Sequence, residues 1–156
     1  MKIPFTLEKI YRSNFSSDNI SQFIQQLDEQ KSDFLGFDFK DYEVTNSKSN
    51  FEFQKRKKKT DTTFYPTVTG NILPDRQVNI QIKPNMMGIM ILSFVGFLAL
   101  VSTYSAVESL IKTGSFILFI IATIFSGIAY LYYKKTTSPI TMTKEWLEES
   151  LELTEL

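Results

Sequence analysis

From Met86 to Tyr104 the chain runs through 19 residues without a charge, and from Gly114 to Tyr133 through 20 more. At 1.5 Å per residue the first run makes about 28 Å of helix, close to the roughly 30 Å hydrocarbon core of a bilayer. Two such helices in a chain of 156 residues leave too little polar surface to bury them in water. The sequence therefore predicts an integral membrane protein with a helical hairpin, its spans at about 86–105 and 114–133.

The flanks of the hairpin set an orientation. Tyr130, Tyr132 and Tyr133 stand where an aromatic belt would lie, beside Lys134 and Lys135. Lys83 and Arg76 precede the first span, whereas the connection 105–113 carries one basic residue, Lys112. The positive-inside rule then predicts a multi-pass protein with both termini cytoplasmic and the short connection outside. The amino terminus, from Met1 to Glu8, has no continuous apolar core, so the internal spans are expected to direct insertion. Neither span contains Asp, Glu, Lys or Arg, which speaks against an ion pathway or proton relay through one copy. Small residues recur at four-residue spacing (Ala99 with Thr103, Ser102 with Ala106, Ala122 with Ser126, Thr123 with Gly127). They suit close helix packing, within the hairpin or against a second copy in a homo-oligomer.

The division of the chain follows charge. Residues 1–85 hold 13 Lys/Arg and 11 Asp/Glu, and the tail from Lys134 holds three Lys and five Glu. In residues 1–85, Ile3, Phe5 and Leu7 alternate as in a strand, interrupted by Pro4. Ser16-Ser17-Asp18 is a capping cluster, and Ile20, Phe23, Ile24 and Leu27 follow at helical spacing, predicting an amphipathic helix over about 18–31. The period then becomes two: Leu35, Phe37 and Phe39, then Tyr42 and Val44 on shifted parity across Lys40-Asp41. Strands are expected at Phe51–Phe53, Phe64–Ile72 and Val78–Ile82, with turns at Asn46–Asn50 and Leu73–Asp75. The expected product is a cytoplasmic α+β domain in which one helix covers a four- or five-stranded antiparallel sheet. Beyond the spans, Ser138-Pro139 is expected to break the chain before a short acidic helix over about 144–153.

Phe64, Pro66, Val68, Gly70 and Ile72, followed by Lys83-Pro84 at the start of the hairpin, give this region a likeness to known sequences. It resembles a family of uncharacterised bacterial two-span membrane proteins, in which a Phe-x-Pro-x-Ile-x-Gly strand precedes the membrane hairpin. Lys59-Thr60-Asp61-Thr62 departs from that pattern. The resemblance implies architecture and a bacterial inner membrane, and it brings no activity. Read physically, Pro66 marks an edge or bulge, and Gly70 permits a bend or a close approach.

The chain contains no Cys and no His, which removes disulfides, thiolate nucleophiles, imidazole bases and the usual zinc sites. Glu148 and Glu149 point in different directions on a helix, and Asp38 and Asp41 have no third ligand or glycine-rich loop beside them. No cofactor motif and no catalytic residue is selected, so a membrane-tethered enzyme is the weakest of the functional readings.

The strongest charge feature is Lys55-Arg56-Lys57-Lys58-Lys59. It reads as a solvated hairpin tip, as a contact for anionic lipid headgroups or a protein partner, or as a counterpart to the glutamates of the tail. Nucleic acid is disfavoured, because no stacking aromatics interleave the run. Two functions remain: a non-enzymatic domain that binds or scaffolds at the membrane surface, and an effector that oligomerises and perturbs the bilayer.

Overall fold

The computed structural model describes residues 3–29, 31–34, 37–47, 49–56, 63–114 and 116–156, with 31–34 and 37–40 described by their backbone. The architecture is α+β. In chain order the elements are β1 (Leu7–Ser13), α1 (Ser17–Glu29), β2 (Lys31–Phe34), β3 (Phe37–Lys40), β4 (Tyr42–Asn46) and β5 (Asn50–Lys55). There follow β6 (Thr67–Ile72), β7 (Gln77–Lys83), α2 (Met86–Thr113), α3 (Ile117–Ser150) and β8 (Leu153–Glu155). They fall into two compact units, Met1–Asn85 with Ser138–Leu156, and Met86–Thr137.

The first unit is built on a six-stranded antiparallel sheet in the order β4-β5-β6-β7-β1-β8, with β2 and β3 forming a separate hairpin. The period-two pattern sorts its faces. Val78, Ile80 and Ile82 of β7, Phe51 and Phe53 of β5, Val68 of β6 and Tyr11 of β1 all turn to one side and are buried. Against them pack Ile20, Ile24 and Leu27 of α1, Ile140 and Leu147 of α3, and Leu151 just beyond it. The start of α1 is fixed by Ser16, whose Oγ accepts the Asn19 N–H at 3.3 Å. Trp146 is the aromatic centre of this core. Its ring stacks on Tyr42 at 6.3 Å, meets Phe53 edge-on at 6.2 Å and tilts against Phe23 at 5.8 Å.

Gly70 has a packing role. Its cross-strand partner is Phe51, and a Cβ at Gly70 would come within 2.0 Å of the Phe51 Cζ. The ring lies over the glycine backbone, a close approach that a side chain would forbid.

Four expectations are corrected. The amino-terminal strand begins not at Ile3 but at Leu7, as β1 (Leu7–Ser13), with Leu7, Lys9, Tyr11 and Ser13 on the covered side and Ile10 on the open one. Ile3 and Phe5 belong instead to a turn in which the Thr6 N–H donates to the Ile3 carbonyl at 3.3 Å. The sheet has six strands because Leu153–Glu155 adds β8 beside β1, a strand too short to show a period. Phe64–Pro66 precede β6 rather than form its first residues.

The fourth correction concerns the helices. Pro139 does not break the chain: α3 continues through it to Ser150. An interior proline costs about 3 kcal/mol. The residues beyond it bury Ile140, Leu147 and Leu151, each contributing roughly 1.5–3 kcal/mol, so packing outweighs the local penalty. The Thr136 and Thr137 hydroxyls donate to the Tyr132 and Tyr133 carbonyls at 2.8 and 2.9 Å, reinforcing the turn before the proline. Likewise 105–113 is helix rather than loop. Glu108 pairs with Lys112 one turn on, and α2 stops at Gly114, whose φ of 68° and N–H to the Leu110 carbonyl (3.0 Å) form a left-handed cap.

In the second unit, α2 and α3 are long and apolar enough to cross a membrane, and only 17% and 6% of their most apolar stretches are buried. A core helix of a water-soluble fold is mostly covered. Here Phe97, Leu100, Ile120 and Ile124 are exposed. Hydroxyls in these helices bond internally: Thr103 and Thr123 donate to the Ala99 and Phe119 carbonyls at 2.7 and 2.8 Å.

Candidate functional site

Strand register gathers the charged residues that the sequence scatters. Tyr42 pairs with Lys55, Gln54 with Thr67, Thr67 with Lys83, and Leu7 with Ile82. One end of the sheet therefore collects the last residues of β5 and β7 and the first of β1, β4 and β6. Lys55, Arg56 and Lys83 all lie at that end, as do the Ile3–Thr6 turn and residues 63–66. The opposite end holds the Asn46–Asn50 and Leu73–Gln77 turns.

The basic end is ordered by its neighbours. The Lys55 Nζ lies 5.2 Å from the centre of the Tyr65 ring, a cation–π contact. Tyr65 is itself positioned by its carbonyl, which accepts the Gln54 Nε2 at 3.0 Å. The Arg56 N–H donates to the Asp41 carbonyl at 2.8 Å, closing the β4–β5 pair. Asp41, together with burial, raises the Tyr42 phenol above its ordinary range, burial being the larger cause. Of the five residues singled out in the sequence, Lys55 and Arg56 are placed here. Lys57, Lys58 and Lys59 lie outside the described residues.

Lys83 was not grouped with the basic run, yet the signal was available. In an antiparallel meander every second connection falls at the same end, so the β5–β6 connection and the β7–α2 junction must share one. β7 ends at Lys83 and α2 begins at Met86. Two intervening residues span at most about 10 Å.

The uncovered face of the sheet is polar. Glu8, Gln81, Thr69, Glu52 and Thr45 form a row across β1, β7, β6, β5 and β4, flooring a shallow depression of about 380 Å³.

Three of the tail glutamates have placed partners. Glu155 pairs with Lys9, which holds its carboxyl below the usual range. Glu148 lies 3.3 Å from Lys144 and faces Tyr11. Burial, then the Glu148 charge and its hydrogen bond, push the Tyr11 phenol well above the ordinary tyrosine value. Asn14 Nδ2 donates to Glu152 at 3.1 Å. Among the described residues, no group of three or more acidic side chains stands close enough to hold a metal ion.

No family model, curated protein or solved structure matches the chain. The family likeness carried by Phe64, Pro66, Val68, Gly70, Ile72, Lys83 and Pro84 rests on those residues alone.

Proposed function

We propose that the chain is an integral membrane protein of a bacterial inner membrane, with both termini cytoplasmic, whose non-enzymatic α+β unit binds and scaffolds at the anionic membrane surface. One observation carries this reading. The sheet end bearing Lys55, Arg56 and Lys83 is the end from which the chain passes, through Pro84 and Asn85 only, into an exposed apolar helix. Each cation near an anionic leaflet gains on the order of 1 kcal/mol, and a short junction removes most of the entropy cost of bringing them there.

The test uses the full chain in liposomes, with membrane insertion scored by resistance to alkaline carbonate. Trypsin cleaves after Lys and Arg, so residues 55–59 report their own accessibility. Anionic lipid is expected to slow cleavage there about tenfold relative to zwitterionic lipid, and added salt to reverse the effect. Replacing all five residues with Gln and placing a new cleavage site beside them should abolish the lipid dependence. Equal cleavage rates in the two lipids would overturn the surface-binding role.

A second reading, oligomerisation through the spans, draws on one feature of the helices. Ala106 and Ala122 are buried, but a Cβ placed at Gly96 or Gly127 would meet nothing within 4 Å. That leaves small-residue surface open to a second copy. Cross-linking in liposomes at increasing dilution distinguishes it: a product that persists supports oligomers, and one that disappears removes this reading.

A further inference from the structure

We infer that the Ile3-Pro4-Phe5-Thr6 turn is an interfacial anchor, seating the Phe5 ring at the boundary between headgroups and acyl chains. The inference rests on the membrane reading above and adds an apolar contact to its electrostatic one. Phe5 has φ = 64°. With proline before it and the Thr6 N–H closing onto the Ile3 carbonyl, it occupies the turn position at which glycine is favoured. A residue with a Cβ costs roughly 1–2 kcal/mol in this conformation. The backbone thus accepts strain to place a phenylalanine here.

Phe51, Phe53 and Phe64 of the same unit are buried, while Phe5 keeps 45% of its surface exposed. Strained residues persist where the surrounding structure holds them for use. The position of Phe5 indicates what that use is. Leu7 pairs with Ile82, so the turn lies beyond β1 at the level of Lys83 and Pro84, where the chain turns into α2. An aromatic ring and cations at one end of a domain are the composition of a membrane-interface belt. Lys55, Arg56 and Lys83 at the same end give anionic headgroups the matching charge, which commits the occupant to a lipid surface.

The native chain has one tryptophan, Trp146, in the aromatic core of the unit. Phe5→Trp in the full-length protein therefore adds a second emitter against a half-buried reference. In liposomes carrying acyl-chain bromines, the added emission is expected to fall about twofold. Native emission and that added by Asn50→Trp, at the far end of the sheet, should stay unchanged. Added emission from position 5 that is no more quenched than that from position 50, in a carbonate-resistant chain, overturns the anchor and leaves the membrane reading standing. Release of the chain by carbonate brings down the membrane reading, and the anchor with it.

A second variant separates anchoring from folding. Phe5→Gly suits the backbone, so it should melt no lower than the native chain in detergent, yet its amides at residues 6–10 should exchange several-fold faster in liposomes. An equal rise in exchange in detergent and in liposomes would make Phe5 a packing residue and overturn the proposal.

Discussion

The two units are inverses of one another. In the sheet unit Ile20, Ile24, Val78 and Leu151 have no exposed surface, and the outward positions of β5 to β7 are Glu, Gln, Thr, Asn and Lys. In the helical unit the large side chains are outside, with Leu100 72% and Ile111 79% exposed, and the buried positions include Gly88, Ala106 and Ala122. The same apolar residue types thus face opposite ways, which is the arrangement expected if the two units meet different solvents. Water organises the first through its exclusion from one sheet face. The second needs a surrounding as apolar as its own surface, and this is the basis for the proposed membrane anchoring.

The most forceful way to break this contrast is to place charges on the exposed helical surface. Phe97→Arg with Ile124→Arg should cost roughly 3 kcal/mol of insertion free energy per site if those surfaces meet lipid. The outcome is read as loss of the carbonate-resistant fraction. Exposed substitutions on a water-facing surface lie within about 0.5 kcal/mol, so a fully retained membrane fraction would refute lipid exposure at those sites.

A smaller effect sharpens the sheet side. Gly70→Ala drives a Cβ into the Phe51 ring and should destabilise the unit by about 1–3 kcal/mol in denaturant melts. In a Phe51→Leu background the same substitution should cost less, since the obstructing ring is gone. Equal costs in both backgrounds would show that the ring is not the obstacle.

The least effect belongs to the β8 edge. Lys9 lowers the Glu155 carboxyl pKa, so the pair supports β8 above the ordinary carboxylate range. That support is lost as pH falls through the depressed folded value. Amide exchange at Leu156, whose N–H donates to the Ile10 carbonyl, should accelerate toward acid, and Glu155→Gln should flatten the dependence. An unchanged profile in the variant would assign the acid effect elsewhere.

Several of these features were legible in the residues themselves. The uncharged runs read directly as two long helices, because lipid-length apolarity is a local property of consecutive residues. The strands at Val78–Ile82 and Phe51–Phe53 were equally plain, since alternation needs no partner to be seen. The course of β1 was not. Ile3, Phe5 and Leu7 offered the right parity, yet Ile10 breaks it, and only the pairing of β1 between β7 and β8 shows that Lys9 and Tyr11 turn inward. The basic end was half visible: the run at 55–59 is conspicuous, whereas Lys83 joins its end only once the strands are read as a meander.

The sequence by itself determined the class of each segment, because hydrophobic period and length act within a few turns or residues. Tertiary structure decided what those segments join. Pro139 reads as a stop until Ile140, Leu147 and Leu151 are seen buried against a sheet assembled more than fifty residues earlier. Leu153–Glu155 become a strand only because β1 offers them an edge. Both outcomes depend on free energy gained between residues far apart in the chain, which no local pattern records.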